Sequence, residues 1–246
     1  KIIKKIGNFI KGHEYYDKGN ISHILDTYHR ECIHIPLSKT CNDDDIILFS
    51  DLDEIPQIDI LRKLCQLPKQ DCLRVFVQHE FQYYLNFYAN SDWYGTIIGP
   101  YKLVKNNSLN LLRKHSNKLT SISDSGYHFT SIGNKKSIIN KIESWGHQEY
   151  NHKLIKENIE ENLVNGKDIF YRFKRKKNKI LKIEECKIID ESMAKILLKF
   201  KNLFIDDNDT NILFNLKYFY YQILFILIRI IKNPKKFIKK IIFFCR

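Results

Sequence analysis

The stretch DDDIILFSDLDEIP, Asp43 to Pro56, decides how the rest of the chain is read. Four consecutive apolar residues, Ile46-Ile47-Leu48-Phe49, follow three aspartates and precede Asp51, Asp53 and Glu54. A short unbroken apolar run between turn signals is the pattern of a strand buried on both faces, as in a parallel sheet. Such a strand delivers Asp51, Asp53 and Glu54 to its carboxyl end, the edge where open α/β sheets bind ligands. Asp51 and Asp53 stand at i and i+2, a spacing that lets both carboxylates approach one hard cation just past a strand. A divalent metal with oxygen ligands and open positions suits a diphosphate. The bland alternative is a solvated acidic turn, but the place directly after an apolar strand favours a site.

Working outward, Asn20 to about Ile33 reads as a helix, with Ile21, Ile24, Leu25, Tyr28 and Cys32 on one face. Pro56 ends regular structure, and Asp59 is expected to cap a short helix carrying Ile60, Leu61 and Leu64. Leu73 to Phe87 reads as strand, with Trp93–Ile98, Asn110–Arg113 and Gly126–Phe129 as weaker strand candidates. After Gly133 the period changes. Ile138, Ile139, Ile142 and Trp145 mark one helix, and Asn151 to Asn165 a second that Gly166 stops. Strands alternating with helices, then helices alone, predict an α/β domain with a helical C-terminal extension.

Composition agrees. The chain has 246 residues, 43% hydrophobic and 13% aromatic, enough for one large domain or two small ones, and too apolar for wholesale disorder. Nine Gly and five Pro exclude a collagen-like or linker sequence. The six cysteines make no Cys-x-x-Cys pair, so buried free thiols in a reducing compartment are expected rather than a disulfide framework or structural zinc.

Two chemistries place an acidic pair at a strand end. One is sugar transfer from a nucleotide sugar. The other is phosphoryl transfer of the haloacid-dehalogenase type, with Asp51 as nucleophile. Glu54 and Ile55 after the second aspartate fit the latter poorly, although Asp206-Asp207-Asn208-Asp209 could imitate its second metal motif.

Four ordered segments bear on that choice. DDDIILFSDLDEIP resembles the metal-binding segment of the β-1,4-N-acetylglucosaminyltransferases of glycosyltransferase family 17. FQYYLNFY (Phe81–Tyr88), with Trp93 and Gly95, is similar to the family's aromatic strand and its Trp-x-Gly. SGYHFTSIG (Ser125–Gly133) resembles its Gly-Trp-His-Phe segment, with Tyr127 in place of Trp. KIESWGHQEYN (Lys141–Asn151) and NGKDIFYR (Asn165–Arg172) resemble its helix segment and Gly-x-Asp. The resemblance covers roughly residues 28–172. It implies a GT-A-like, Rossmann-like mixed sheet flanked by helices, with the family's first strand and helix cut off before Lys1. The expected division is a glycosyltransferase domain over 1–200 and a basic helical tail over 201–246.

The implied activity is metal-dependent transfer with inversion, with N-acetylglucosamine the expected sugar. The donor is a UDP-sugar, the acceptor a glycan or glycoconjugate, and the cation Mn2+ or Mg2+. Asp53 is the expected metal ligand. Asp51 binds the metal through water or holds the nucleotide ribose, and His128 completes the shell. Arg113 and His147 are expected on the diphosphate, and Glu54 in a supporting or acceptor-side place. Glu149 is a candidate general base, with Glu80 as its rival. Of the aromatic group Tyr83, Tyr84, Phe87, Tyr88, Trp93 and Tyr94, most are expected in the core and one or two on the acceptor sugar.

The net charge of +13 lies off this region. Residues 1–150 hold 19 basic and 17 acidic side chains, and residues 151–246 hold 22 and 11. From Thr210 onward there are eight Lys/Arg and no acid. Lys217 and Arg229 bracket only 11 residues, short of the roughly 20 a span needs. Beyond Pro234, Phe237, Ile238, Ile241, Ile242 and Phe244 share one helical arc and four lysines the other. That pattern suits an anionic membrane surface, with packing on the domain as the alternative. A peripheral place on the cytoplasmic face, without secretion, follows. Nucleic acid is not an expected partner, because no recognised nucleic-acid module accompanies the basic run RFKRKKNK (172–179). A non-catalytic membrane-binding protein stays the third reading.

Overall fold

The computed structural model describes residues 21–66, 71–172, 178–206 and 212–232. In chain order these form α1 (Ile21–Cys32), α2 (His34–Thr40), β1 (Ile46–Phe49), β2 (Glu54–Pro56) and α3 (Ile58–Cys65). Then come β3 (Arg74–Gln82), β4 (Phe87–Pro100), α4 (Tyr101–Val104), α5 (Leu109–Lys114), β5 (Thr120–Ile122) and β6 (Gly126–Thr130). The last are α6 (Lys135–Ser144), α7 (Lys153–Glu157), α8 (Ile159–Val164), β7 (Lys179–Ile180), α9 (Glu191–Leu197) and α10 (Ile212–Lys232). The strands make one mixed sheet in the order β1-β4-β3-β6-β2, with β5 against β3 and β7 against β4. β3 runs antiparallel to β4 and parallel to β5 and β6. The expected α/β architecture with a mixed sheet is therefore present.

Alternation along β3 and β6 separates two faces. Phe81, Tyr127 and Phe129 pack with Tyr88 against Ile183, Ile189, Met193 and Leu197. Tyr127 lies on this apolar side, where its hydroxyl donates to Asp190 Oδ2 at 2.8 Å. The residue that replaces the family's Trp thus faces away from the polar face. A second cluster joins Tyr83, Phe87, Ile138, Ile142, Ile155 and Ile159 to Phe214, Tyr218 and Phe225 of α10.

Several expectations are corrected. Among the described residues β1 is an antiparallel edge strand on β4, and its face carrying Ile46 and Leu48 is exposed while Phe49 is buried. An apolar run of four does not reveal whether one face or both are covered. Asp59 sits in the first turn of α3, whose N-cap is Gln57 without a side-chain bond. Asn110–Arg113 is helical, because Ser108 caps α5 and Glu31 of α1 accepts from Leu109 N and Asn110 N at 3.4 and 2.9 Å. The helix expected over Asn151–Asn165 splits at Asn158 into α7 and α8, while Gly166, at φ +66°, provides the expected stop. The five described cysteines are free as expected, but Cys65 is exposed and the others half-buried rather than buried. The second basic helix expected beyond Pro234, residues 207–211, Cys245 and most of the run 172–179 lie outside the described residues.

Candidate active site

Strand register lays out the site. β2 sets Glu54 opposite His128 of β6, and β6 sets His128 opposite Glu80 of β3. Directly opposed residues share a face, so these three form one row. Gln78, Gln82 and Thr130, two residues away along their strands, extend it. Glu54, Gln78, Glu80, Gln82 and His128 are all buried. Buried polar side chains on strands otherwise filled with Val and Phe indicate a site, since desolvating them is costly unless they are used.

Over this row lies a cavity of about 400 Å³, within the range of small-molecule sites. It is lined by Asp51, Asp53, Glu80, His128, His147 and Glu149, so six residues singled out in the sequence meet at one place. Tyr83, Trp93, Trp145 and Tyr150 supply aromatic walls, and Lys141 and Arg172 supply cations that sequence reading passed over.

Asp51 and Asp53 sit on the turn between β1 and β2, where Asp53 O accepts from Phe129 N at 2.8 Å. The Asp53 carboxylate lies 3.6 Å from His128 Nε2 and 3.4 Å from Lys141 Nζ. Burial alone would push its pKa up, but His128 and Lys141 outweigh burial and hold it down at about 2. His128 stacks on Trp93 with centroids 4.2 Å apart, and among the described residues its buried Nδ1 has no hydrogen-bond partner.

Glu54 and Arg113 act behind the cavity wall. The Arg113 guanidinium, expected on the diphosphate, instead donates to Asp51 Oδ2 at 2.8 Å and to both oxygens of Glu54. Glu54 also accepts from Trp93 Nε1 at 2.7 Å and from Asp51 N at 3.2 Å. A buried carboxylate must find such partners, and Glu54 thereby ties the Asp51–Asp53 turn to Trp93. The cavity cations come from helical and post-helical segments. Lys141 of α6 also donates to Thr130 Oγ1 at 3.1 Å. Arg172 forks onto Asp168 through Nε and Nη2 at 3.0 and 2.6 Å. Burial lowers the Arg172 pKa, yet Asp168 outweighs it and holds the group above its ordinary value.

At the mouth, His147 Nδ1 lies 3.2 Å from Glu149 Oε1. Burial pushes Glu149 up, and His147 more than reverses that, leaving it at about 2. Glu80 sits on the floor, where Gln82 Nε2 donates to its Oε1 at 2.6 Å. Among the described residues, ligand atoms of His23, His147 and Glu149 come within 4.8 Å of one another. Asp51, Asp53 and His128 line one cavity without so close a convergence, because Arg113 draws Asp51 towards Glu54 and Lys141 engages Asp53.

Backbone strain gathers here too. Tyr83 and Ser131, both lining the cavity, have φ of 67° and 58°, and Tyr171 beside Arg172 has φ of 55°. Left-handed geometry at such residues costs roughly 1–2 kcal/mol each. Tyr83 is held in it by Tyr83 N to Thr130 O and Gly133 N to Tyr83 O, both 3.1 Å, and by its hydroxyl on Asp168.

Comparison with known families agrees with this geometry. The model of glycosyltransferase family 17 matches residues 4–196, and the chain belongs to that family. No curated protein and no solved structure matches it. Membership makes the chain a glycosyltransferase, with a nucleotide-sugar donor and a glycan acceptor, and sets the phosphohydrolase and adaptor readings aside.

Proposed function

We propose that this family 17 member transfers a sugar, N-acetylglucosamine by resemblance, from a UDP-sugar to a glycan hydroxyl, with inversion and with a divalent cation, on a GT-A-like fold. The observation that carries the reading is one cavity in which two aspartates on a strand-end turn face Lys141, Arg172 and the mouth carboxylate Glu149. Asp51 and Asp53 fit Mn2+ or Mg2+ by donor chemistry. Hard cations of this kind are held by one or two carboxylates and completed by substrate phosphates and water, so a closed protein cage is not required. His128 is the nitrogen donor nearest Asp53. Bound there, the cation would neutralise charge developing on the departing diphosphate.

The chain's own groups supply the rest. Lys141 and Arg172 stabilise the negative charge of the leaving diphosphate. Trp93, Trp145 and Tyr150 offer faces for base or sugar stacking. Glu149, reachable from solvent, takes the acceptor proton as the acceptor oxygen bonds to the anomeric carbon. The bond from that carbon to the diphosphate oxygen breaks, and its electron pair leaves with the diphosphate. Glu80, buried beneath, positions the floor with Gln82. Free thiols at the five described cysteines suit a reducing, cytoplasmic setting.

A thermal-shift screen of nucleotide sugars with and without manganese tests the reading. A UDP-sugar shift that requires manganese and disappears in Asp53→Asn is expected. The same shift without metal, or in the variant, would overturn metal-assisted donor binding.

A further inference from the structure

We propose that the outer face of α10 seats this enzyme on an anionic membrane, and that its acceptor is a glycan anchored in that membrane. The acceptor half rests on the transferase reading above; the surface half does not.

By length and composition α10 could cross a bilayer, since Phe214–Lys232 has a mean hydropathy of 1.3. Its contacts argue against that. Phe214, Tyr218 and Phe225 are buried among Ile155, Ile159 and Tyr171. The Tyr218 hydroxyl donates to Asp168 O at 2.8 Å, and Lys217 Nζ reaches both oxygens of Glu161 at 2.8 and 2.7 Å. A helix wrapped in lipid would lose all of these, so α10 lies along the domain.

Among the described residues the opposite face is exposed. Leu216, Phe219, Tyr220, Ile223, Leu227 and Ile231 recur at helical spacing and are 42–79% exposed. Apolar stripes of this extent mark interaction surfaces. Charge selects the occupant. Lys232, Lys235, Lys236, Lys239, Lys240 and Arg246 follow in sequence among Phe and Ile, and no acid occurs after Thr210. Apolar side chains with interspersed cations match an anionic headgroup layer. A second copy would bring two positively charged halves together.

The helix also borders the cavity. Phe225 stacks on Tyr150 with centroids 6.1 Å apart, and the Arg229 guanidinium lies 5.3 Å from the Tyr150 ring. Tyr150 lines the cavity beside Glu149. The helix that carries the exposed stripe on one face thus backs the cavity wall with the other, through Phe225 and Tyr150.

The full chain is floated with phosphatidylcholine vesicles, with and without phosphatidylglycerol. Binding at least about tenfold tighter to anionic vesicles is expected. The pair Leu216→Glu and Ile223→Glu, both at exposed positions, should weaken it about 100-fold. It should leave the melting temperature and the manganese-dependent UDP-sugar shift unchanged. Sugar transfer to a vesicle-anchored glycan should fall in this variant while transfer to the same glycan free in solution persists. Equal binding by the variant, or a wild-type dimer that the variant dissolves, would overturn the membrane surface. Equal transfer to both acceptor forms by the wild type would overturn the anchored acceptor. Loss of the UDP-sugar shift in the wild type, with vesicle binding intact, would sink the transferase reading and the anchored acceptor with it, but not the surface.

Discussion

Asp53 is the residue on which the site turns. Its carboxylate is held between an imidazole and an ammonium, and it stands on a turn that register ties to β6. Asp53→Asn keeps the shape and removes the charge. Metal-dependent transfer should fall at least about 100-fold, beyond the 10–100-fold typical of losing a supporting partner, with the circular dichroism melt nearly unchanged. Glu149 invites a different measurement. Its folded pKa of about 2 lies below the ordinary 4.5. A depressed carboxyl contributes stability that is fully present above its unfolded pKa and lost as pH falls through the folded one. The melting-temperature difference between wild type and Glu149→Gln should therefore shrink as pH falls from about 4.5 towards 2. A difference that stayed constant or grew within that window would contradict the His147 pairing. At this scale the aspartates and histidines were legible because their spacing is chemical. Lys141 and Arg172 were not, since a lone cation on a helix or in a basic run looks like solvated surface until the fold turns it inward. One signal went unread. Gln78, Glu80 and Gln82 alternate with Val77, His79 and Phe81, and a polar period of two inside an apolar strand marks a lined cavity.

Elements place these residues, and two small devices hold the elements. Gly126 begins β6 at φ +148°, and a Cβ there would meet Ile55 O at 2.3 Å. The pairing of Pro56 with Gly126 starts the register that puts Glu54 beside His128. Gly126→Ala should cost roughly 3 kcal/mol in urea unfolding and weaken manganese binding as β2 moves. Glu31, from α1, accepts the first amide groups of α5, so it caps a helix far away in sequence. Glu31→Ala should cost about 1–2 kcal/mol, as the loss of a cap does. It should also loosen Arg113, and through it Asp51, raising the metal concentration needed for half-maximal activity. Periodicity found α6, which buries Ile138 and Ile142 on one face; α1 forms where expected, but Ile24 and Thr27 are its buried residues and Ile21 and Leu25 are exposed. Periodicity failed at α5, where a tertiary cap stabilises a helix too short to declare itself. It failed again at β1, where local pattern carries no record of how many neighbours a strand will have.

At the scale of the whole molecule, the sequence suggested a catalytic domain and a separable basic tail, and unfolding of α10 variants would test that division. Its inner face shares a core cluster with Tyr83, Ile138 and Ile155, and Phe225 is 2% exposed between Tyr150 and Tyr171. If α10 belongs to the domain's core, Phe225→Ala leaves a cavity inside it and should cost about 3–5 kcal/mol. Unfolding should remain a single transition with a lower midpoint. If the segment were an appendage, the loss would appear as a separate early transition and the main one would not move. Leu227, two residues on and half exposed, is the control: Leu227→Ala should stay within about 0.5 kcal/mol in solution. The same helix turn thus carries opposite consequences on its two faces. Inward it completes the wall behind Tyr150, so Phe225→Ala should also reduce transfer. Outward it presents the exposed residues Leu216, Tyr220, Ile223 and Leu227.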